Sequence, residues 1–126
     1  MTTFLAVALA GGAGAVARVL VDRAVRARTP GTFPWGTLVV NVTGSFVLGV
    51  LTGLAWHHGL GGRLGAVLGT GLCGGFTTWS TASWESVRLL ELGLSAQAAG
   101  KAVGGLCVAL GAAAVGMVVG MVLATR

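Results

Sequence analysis

The chain has 126 residues, of which 55% are hydrophobic and 9% charged, and its mean hydropathy is +0.91. Ordinary soluble domains carry about 25% charged residues, so this composition excludes a normal water-facing surface and specifies a membrane protein. The net charge of +5 does not mark a nucleic-acid binder, because the basic residues flank apolar runs, where they meet lipid headgroups.

The apolar runs predict an all-α membrane protein with four transmembrane helices in a single domain over residues 1–126, without an internal repeat. The first run extends from Thr3 to Leu20. It has no Lys or Arg ahead of it, which argues against a signal peptide. Its glycines are spaced for close helix contact. Arg18, near its end, admits two readings: a functional intramembrane arginine or one that snorkels to the interface. A connection from Asp22 to Pro34 follows.

The second run, Trp35 to Trp56, carries a polar stripe. Thr37, Asn41, Ser45 and Thr52 fall within about 80° of one another on a helix turning about 100° per residue. Their hydrogen-bond donors can replace part of the water shell of a small ion; the same groups can equally bond neighbouring helices. His57 and His58 fall in the next connection, which ends at Arg63, and adjacent histidines in a solvated loop are weak evidence for a metal.

The third run, Leu64 to Leu94, is interrupted. Gly74-Gly75 is followed by Thr77, Thr78, Ser80, Thr81 and Ser83, poor material for a continuous helix. Broken backbone at mid-membrane survives only when buried in protein or lining a polar cavity, and freed carbonyls there can hold a cation. A kink without a ligand is the plainer reading. Glu85 is placed to pair with Arg88 or to cap the resumed helix. After a short stretch around Gly93 and Ser95, the fourth run covers Ala98 to Ala124. Cys73 and Cys107 both lie inside apolar runs and read as packing residues.

Two stretches imitate a dinucleotide fingerprint, Gly12 to Ala17 and Gly69 to Gly74. Neither follows a strand, and Asp or Glu occurs only at Asp22, Glu85 and Glu91, so close helix packing explains both better. No set of nucleophile, base and acid emerges, and the chain does not read as an enzyme.

Three stretches taken in order resemble the CrcB/Fluc family of fluoride channels. They are Gly11-Gly12-Ala13-Gly14-Ala15-Val16-Ala17-Arg18, Trp35-Gly36-Thr37 through Asn41 to Phe46, and Gly71 through Ser80. The resemblance implies an antiparallel, dual-topology dimer in the cell membrane, with fluoride pathways along the subunit interface and a structural sodium ion at its centre. By motif match, Asn41 is the pore asparagine, Arg18 the basic residue closing span one, and the carbonyls of Gly74 and Thr77 hold the sodium. With the polar stripe and the hydroxyls beside the break, the candidate pathway residues are Asn41, Thr37, Ser45, Trp79, Ser80, Thr81 and Arg18. Two departures stand out: the second family phenylalanine is Ala82, and no Ser, Thr, Tyr or Asn lies between Lys101 and Ala124. Trp84 is too far along to replace that phenylalanine simply.

Two other functions fit a chain of this size. A four-helix drug/proton antiporter needs a carboxylate within span one, which has none. A non-transporting assembly protein accounts for the glycines but not for a polar stripe and a broken span together. The basic residues also predict an orientation. One side carries Arg63 and Arg126; the other carries Arg23, Arg26, Arg28, Arg88 and Lys101, with Arg18 leaning that way. The positive-inside rule then places both termini outside, and a fixed orientation calls for a related, oppositely inserted partner. A homodimer of opposed copies is the alternative.

Overall fold

A computed structural model describes residues 1–58 and 62–125. Its elements are helices: α1 (Thr2–Arg26), α2 (Trp35–His58), α3 (residues 63–76), α4 (Trp79–Glu91) and α5 (Ser95–Ala124). Three of them, α1, α2 and α5, are long and apolar enough to cross a bilayer. The third apolar run is two helices rather than one, α3 and α4, parted at Thr77 and Thr78. Within α3 the backbone widens to π-helical winding from Ala66 to Cys73, and α5 does the same from Gly100 to Gly104.

The first helix runs six residues past its expected end at Leu20, through Arg26. Residues 21–26 contain no helix breaker, and Asp22 and Arg26 pair across one turn, Nε to Oδ2 at 2.8 Å. The second helix continues through His57 and His58, which therefore lie on helical backbone and not in a loop. Arg126, one of the residues used to read orientation, lies outside the described residues.

The break sits later than the glycine pair suggested. Gly74 and Gly75 are helical, and Gly75 is fixed in place by packing: a side chain there would run into the backbone of Gly11. Gly14 on α1 similarly admits the backbone of Leu72 and Phe76. These contacts let α1 and α3 meet backbone to backbone, the arrangement small residues allow in lipid. A second such seam joins α2 to α5. Gly49 and Gly53 face the backbone of Ala113 and Met117, while Gly116 and Gly120 face that of Phe46 and Val50.

Helix α4 ends by a glycine mechanism. Gly93 has φ 75°, its N–H donates to Leu90 at 2.9 Å, and the N–H of Leu94 reaches Leu89 at 2.9 Å. That is the paired hydrogen bonding of a left-handed C-terminal cap. It turns the chain within three residues, so α5 begins at Ser95, earlier than the hydropathy alone indicated. Helix α4 then lies against the start of α5. The break and the wall of α5 end up facing each other across a cleft.

Candidate functional site

The break would leave backbone groups without helical partners, and α2 supplies them. In a continuous helix the N–H of Thr78 would bond the carbonyl of Gly74. Here it donates to Asn41 Oδ1 at 2.8 Å, and Asn41 Nδ2 donates back to the Thr78 carbonyl at 2.9 Å. One amide side chain thus satisfies both sides of the Thr78 peptide backbone. Thr78 also caps the resumed helix, its Oγ1 accepting from the N–H of Thr81 at 3.2 Å. The carbonyl of Gly74 is thereby released from the helical ladder. Thr77 turns extended, at φ −76° and ψ 159°, and its carbonyl accepts from Arg18 Nη1 at 3.3 Å.

An open cavity of about 600 Å³ lies beside this junction, between α2, α4 and α5. Asn41, Ser45, Thr77, Thr78 and Trp79 line it on one side. The wall from α5 runs from Lys101 through Ala102, Leu106 and Leu110 to Ala113, so beyond Lys101 that wall is apolar. Several donors remain unspent. Ser45 and Ser83 make no hydrogen bond among the described residues, and Asn41 Nδ2 has a second hydrogen beyond the one given to Thr78. The methyl of Ala82 stands where an aromatic ring would narrow the cavity.

A smaller cavity of about 240 Å³ lies on the other side of Thr78, lined by Arg18, Asp22, Thr37 and Thr81 among others. The polar stripe of α2 is therefore divided. Asn41 and Ser45 face the large cavity and Thr37 the small one. Thr52 is exposed and donates to Leu48 of its own helix at 2.8 Å, outside both. Trp79 and Thr81 reach one cavity each; Ser80 lines neither, standing beside Thr78 with the two hydroxyl oxygens 3.4 Å apart. Arg18 does not snorkel away: it turns toward the break.

Glu85 is the largest departure from the sequence reading. It neither pairs with Arg88, which instead meets Glu91 at 3.0 Å, nor caps α4. It is buried, and its Oε1 accepts from Thr37 Oγ1 at 2.8 Å and from Arg26 Nη2. Its Oε2 lies 3.4 Å from the ammonium of Lys101, a residue whose side chain is 2% exposed. Nothing in local spacing foretold this group, because its members come from α1, α2, α4 and α5. The available clue was composition: Lys101 is the chain's one lysine, and it interrupts an otherwise apolar run.

Long apolar helices, glycine seams and a cavity with polar groups at a broken helix define a multi-pass membrane protein. The family described as CrcB-like protein, Camphor Resistance (CrcB), matches residues 5–120. The chain is 53% identical over 116 residues to fluoride-specific ion channel FluC 1 of Leifsonia xyli, covering 92% of this chain and 85% of that protein. It is 46% identical over 127 residues to fluoride-specific ion channel FluC 2 of Cutibacterium acnes, covering 98% of each. To FluC 1 of Streptomyces avermitilis it is 47% identical over 104 residues, covering 82% of this chain and 84% of that one. The chain belongs to the CrcB family.

Proposed function

We propose that this protein is a subunit of a fluoride-specific ion channel that lets cytoplasmic fluoride leave the cell passively. The observation that carries this is the row of unspent donors, on Asn41, Ser45 and Ser83, along a cavity beside a broken helix. It occurs in a chain whose relatives are named fluoride-specific channels. Fluoride is small and holds its water tightly, so entry into a low-dielectric path requires donors that replace that water. A carbonyl-lined path would serve a cation instead. The interior-negative potential drives the anion outward by about 2.3 kcal/mol per charge per 100 mV, so no fuel or coupled ion is needed.

In this reading α3 and α4 together make the third of four crossings of a single membrane domain, with the break near mid-membrane. The pathway is Asn41, Ser45 and Trp79 in the large cavity, with Thr37, Thr81 and Arg18 on the far side of the break and Ser80 at its edge. The large cavity is open within one subunit, and a second subunit inserted antiparallel closes it. The fixed orientation predicted from the basic residues makes that second subunit a related, opposed chain. A structural sodium ion fits between subunits at the carbonyls of Gly74 and Thr77. The Gly74 carbonyl is released by the Asn41–Thr78 pair; that of Thr77 keeps one lone pair beside Arg18.

The test is fluoride-electrode efflux from liposomes holding this chain, alone and together with an oppositely oriented family member. Electrogenic efflux of fluoride without chloride is the expected result in the paired preparation. Absence of flux in both preparations refutes the channel. Rapid flux from the chain alone refutes the need for an unlike partner.

A further inference from the structure

Among the described residues, the Glu85 group forms a chain of alternating charge that ends at the large cavity. Asp22 Oδ2 lies 2.8 Å from Arg26 Nε, Arg26 Nη2 bonds Glu85 Oε1, and Glu85 Oε2 lies 3.4 Å from Lys101 Nζ. The sequence of signs is minus, plus, minus, plus, and the last plus is the residue that lines the cavity.

The pairing at that end is slack. Charge-assisted N–H···O bonds close to about 2.7–2.9 Å, and 3.4 Å is well beyond that. Glu85 Oε2 has no hydrogen-bond partner among the described residues, although it is buried. The carboxylate accepts its better bonds, from Thr37 and Arg26, at Oε1. Lys101 is therefore a buried ammonium whose three donors are not consumed by its counter-ion. A buried cation held so loosely is costly as a purely structural device, and its place on a cavity wall gives it a use.

We propose that Lys101 is an anion-binding residue at the basic end of the large cavity, where it takes fluoride from the donors of the pathway or hands it to them. This rests on the fluoride reading above and adds a site to it. From Ala102 to Ala113, α5 offers the cavity only apolar side chains and glycine. An ion moving along that wall meets its one fixed charge at Lys101. Glu85 and Arg26 set the height of the site: Glu85 holds Lys101 in place from 3.4 Å, and Arg26 restrains Glu85 so that it does not close onto Lys101. Fluoride binds by displacing no strong bond. It leaves because Glu85 is near enough to reclaim the ammonium.

Lys101 being the chain's one lysine makes the test specific. Protein grown on lysine labelled with 15N at Nζ and 13C at Cε gives one side-chain resonance pair. In the membrane-reconstituted channel, sodium fluoride should shift that pair in a saturable way, and sodium chloride at the same concentration should not. Lys101→Met should lower fluoride efflux about tenfold at low fluoride, the lower end of electrostatic effects on ion capture, and less at saturating fluoride. Lys101→Arg, which keeps the charge, should restore most of the loss. A conducting wild type with no fluoride-specific shift at Lys101, or Lys101→Met conducting at the wild-type rate, overturns this inference alone. A wild type with neither flux nor shift overturns the channel reading and this inference with it.

Discussion

Replacing Asn41 separates the hold on Thr78, which the structure shows, from the proposed donation to the ion. Its Oδ1 and one Nδ2 hydrogen hold the backbone of Thr78, at 2.8 and 2.9 Å, and the side chain, with a second Nδ2 hydrogen to give, lines the cavity. Asn41→Ala strands two backbone groups in a residue that is 8% exposed. Each stranded group costs about 1–3 kcal/mol, so the variant should lose about 2–6 kcal/mol of stability, summing two such losses. Asn41→Asp behaves differently. One carboxylate oxygen can still accept from the Thr78 N–H, more strongly than an amide does. The other is set against the Thr78 carbonyl, acceptor facing acceptor, and no donor remains for the ion. Asp should therefore lose flux completely while losing less stability than Ala. Unfolding in detergent, followed by tryptophan fluorescence against denaturant, measures the first quantity, and fluoride-electrode efflux the second. An Asn41→Ala protein within about 0.5 kcal/mol of wild type, the range of an ordinary surface change, would refute the backbone role. An Asn41→Asp protein that still conducts would refute the donor role.

Gly75→Ala should destabilise the subunit by about 1–3 kcal/mol through overpacking, because its Cβ meets the Gly11 backbone, while Gly74→Ala, whose Cβ meets only the Gly69 carbonyl at 3.9 Å, should leave the isolated subunit unchanged. A loss confined to dimer assembly in Gly74→Ala, read by cross-linking, would place the partner against Gly74. Ser45→Ala should cut flux about tenfold, the scale of one lost hydrogen bond in the path, with no change in unfolding, since the hydroxyl bonds nothing among the described residues; equal flux would remove Ser45 from the pathway. Arg28→Cys should react with a membrane-impermeant maleimide from the cytoplasmic face alone, and labelling from both faces would establish dual insertion.

The helices were legible where hydropathy decides them. The runs beginning at Thr3, Trp35 and Ala98 became α1, α2 and α5, since in lipid a long apolar segment has one way to satisfy its backbone. The ends were less legible because they depend on local pairs. Asp22 and Arg26 extend α1 by a bond across one turn, and Gly93 ends α4 by its positive φ. Glycine at 74 and 75 signalled weakness in a helix by propensity, yet Gly75 answers to the backbone of Gly11. Propensity ranks residues by their own freedom, whereas a packed glycine is chosen for its neighbour.

The site divides along the same line. Asn41 and Ser45 could be placed together from helical spacing, because they share one element and one face. Glu85 could not be assigned a partner that way, since Arg26, Thr37 and Lys101 approach it from three other helices. Local reasoning offered Arg88 because it is near in sequence, and charge alone does not say which of two arginines a buried carboxylate will meet. Burial decides: a carboxylate taken out of water must find all of its partners nearby, and those three side chains are the ones the glycine seams bring within reach. The close approach of α1 to α3 and of α2 to α5 therefore does more than pack the protein. It fixes the distance at which Asn41 can hold the Thr78 backbone on one side of the break and at which Glu85 can gather its cations on the other. Widening either seam by a methyl group should disturb both polar clusters before it unfolds any helix, because hydrogen bonds weaken over tenths of an ångström while helices in lipid keep their own bonds.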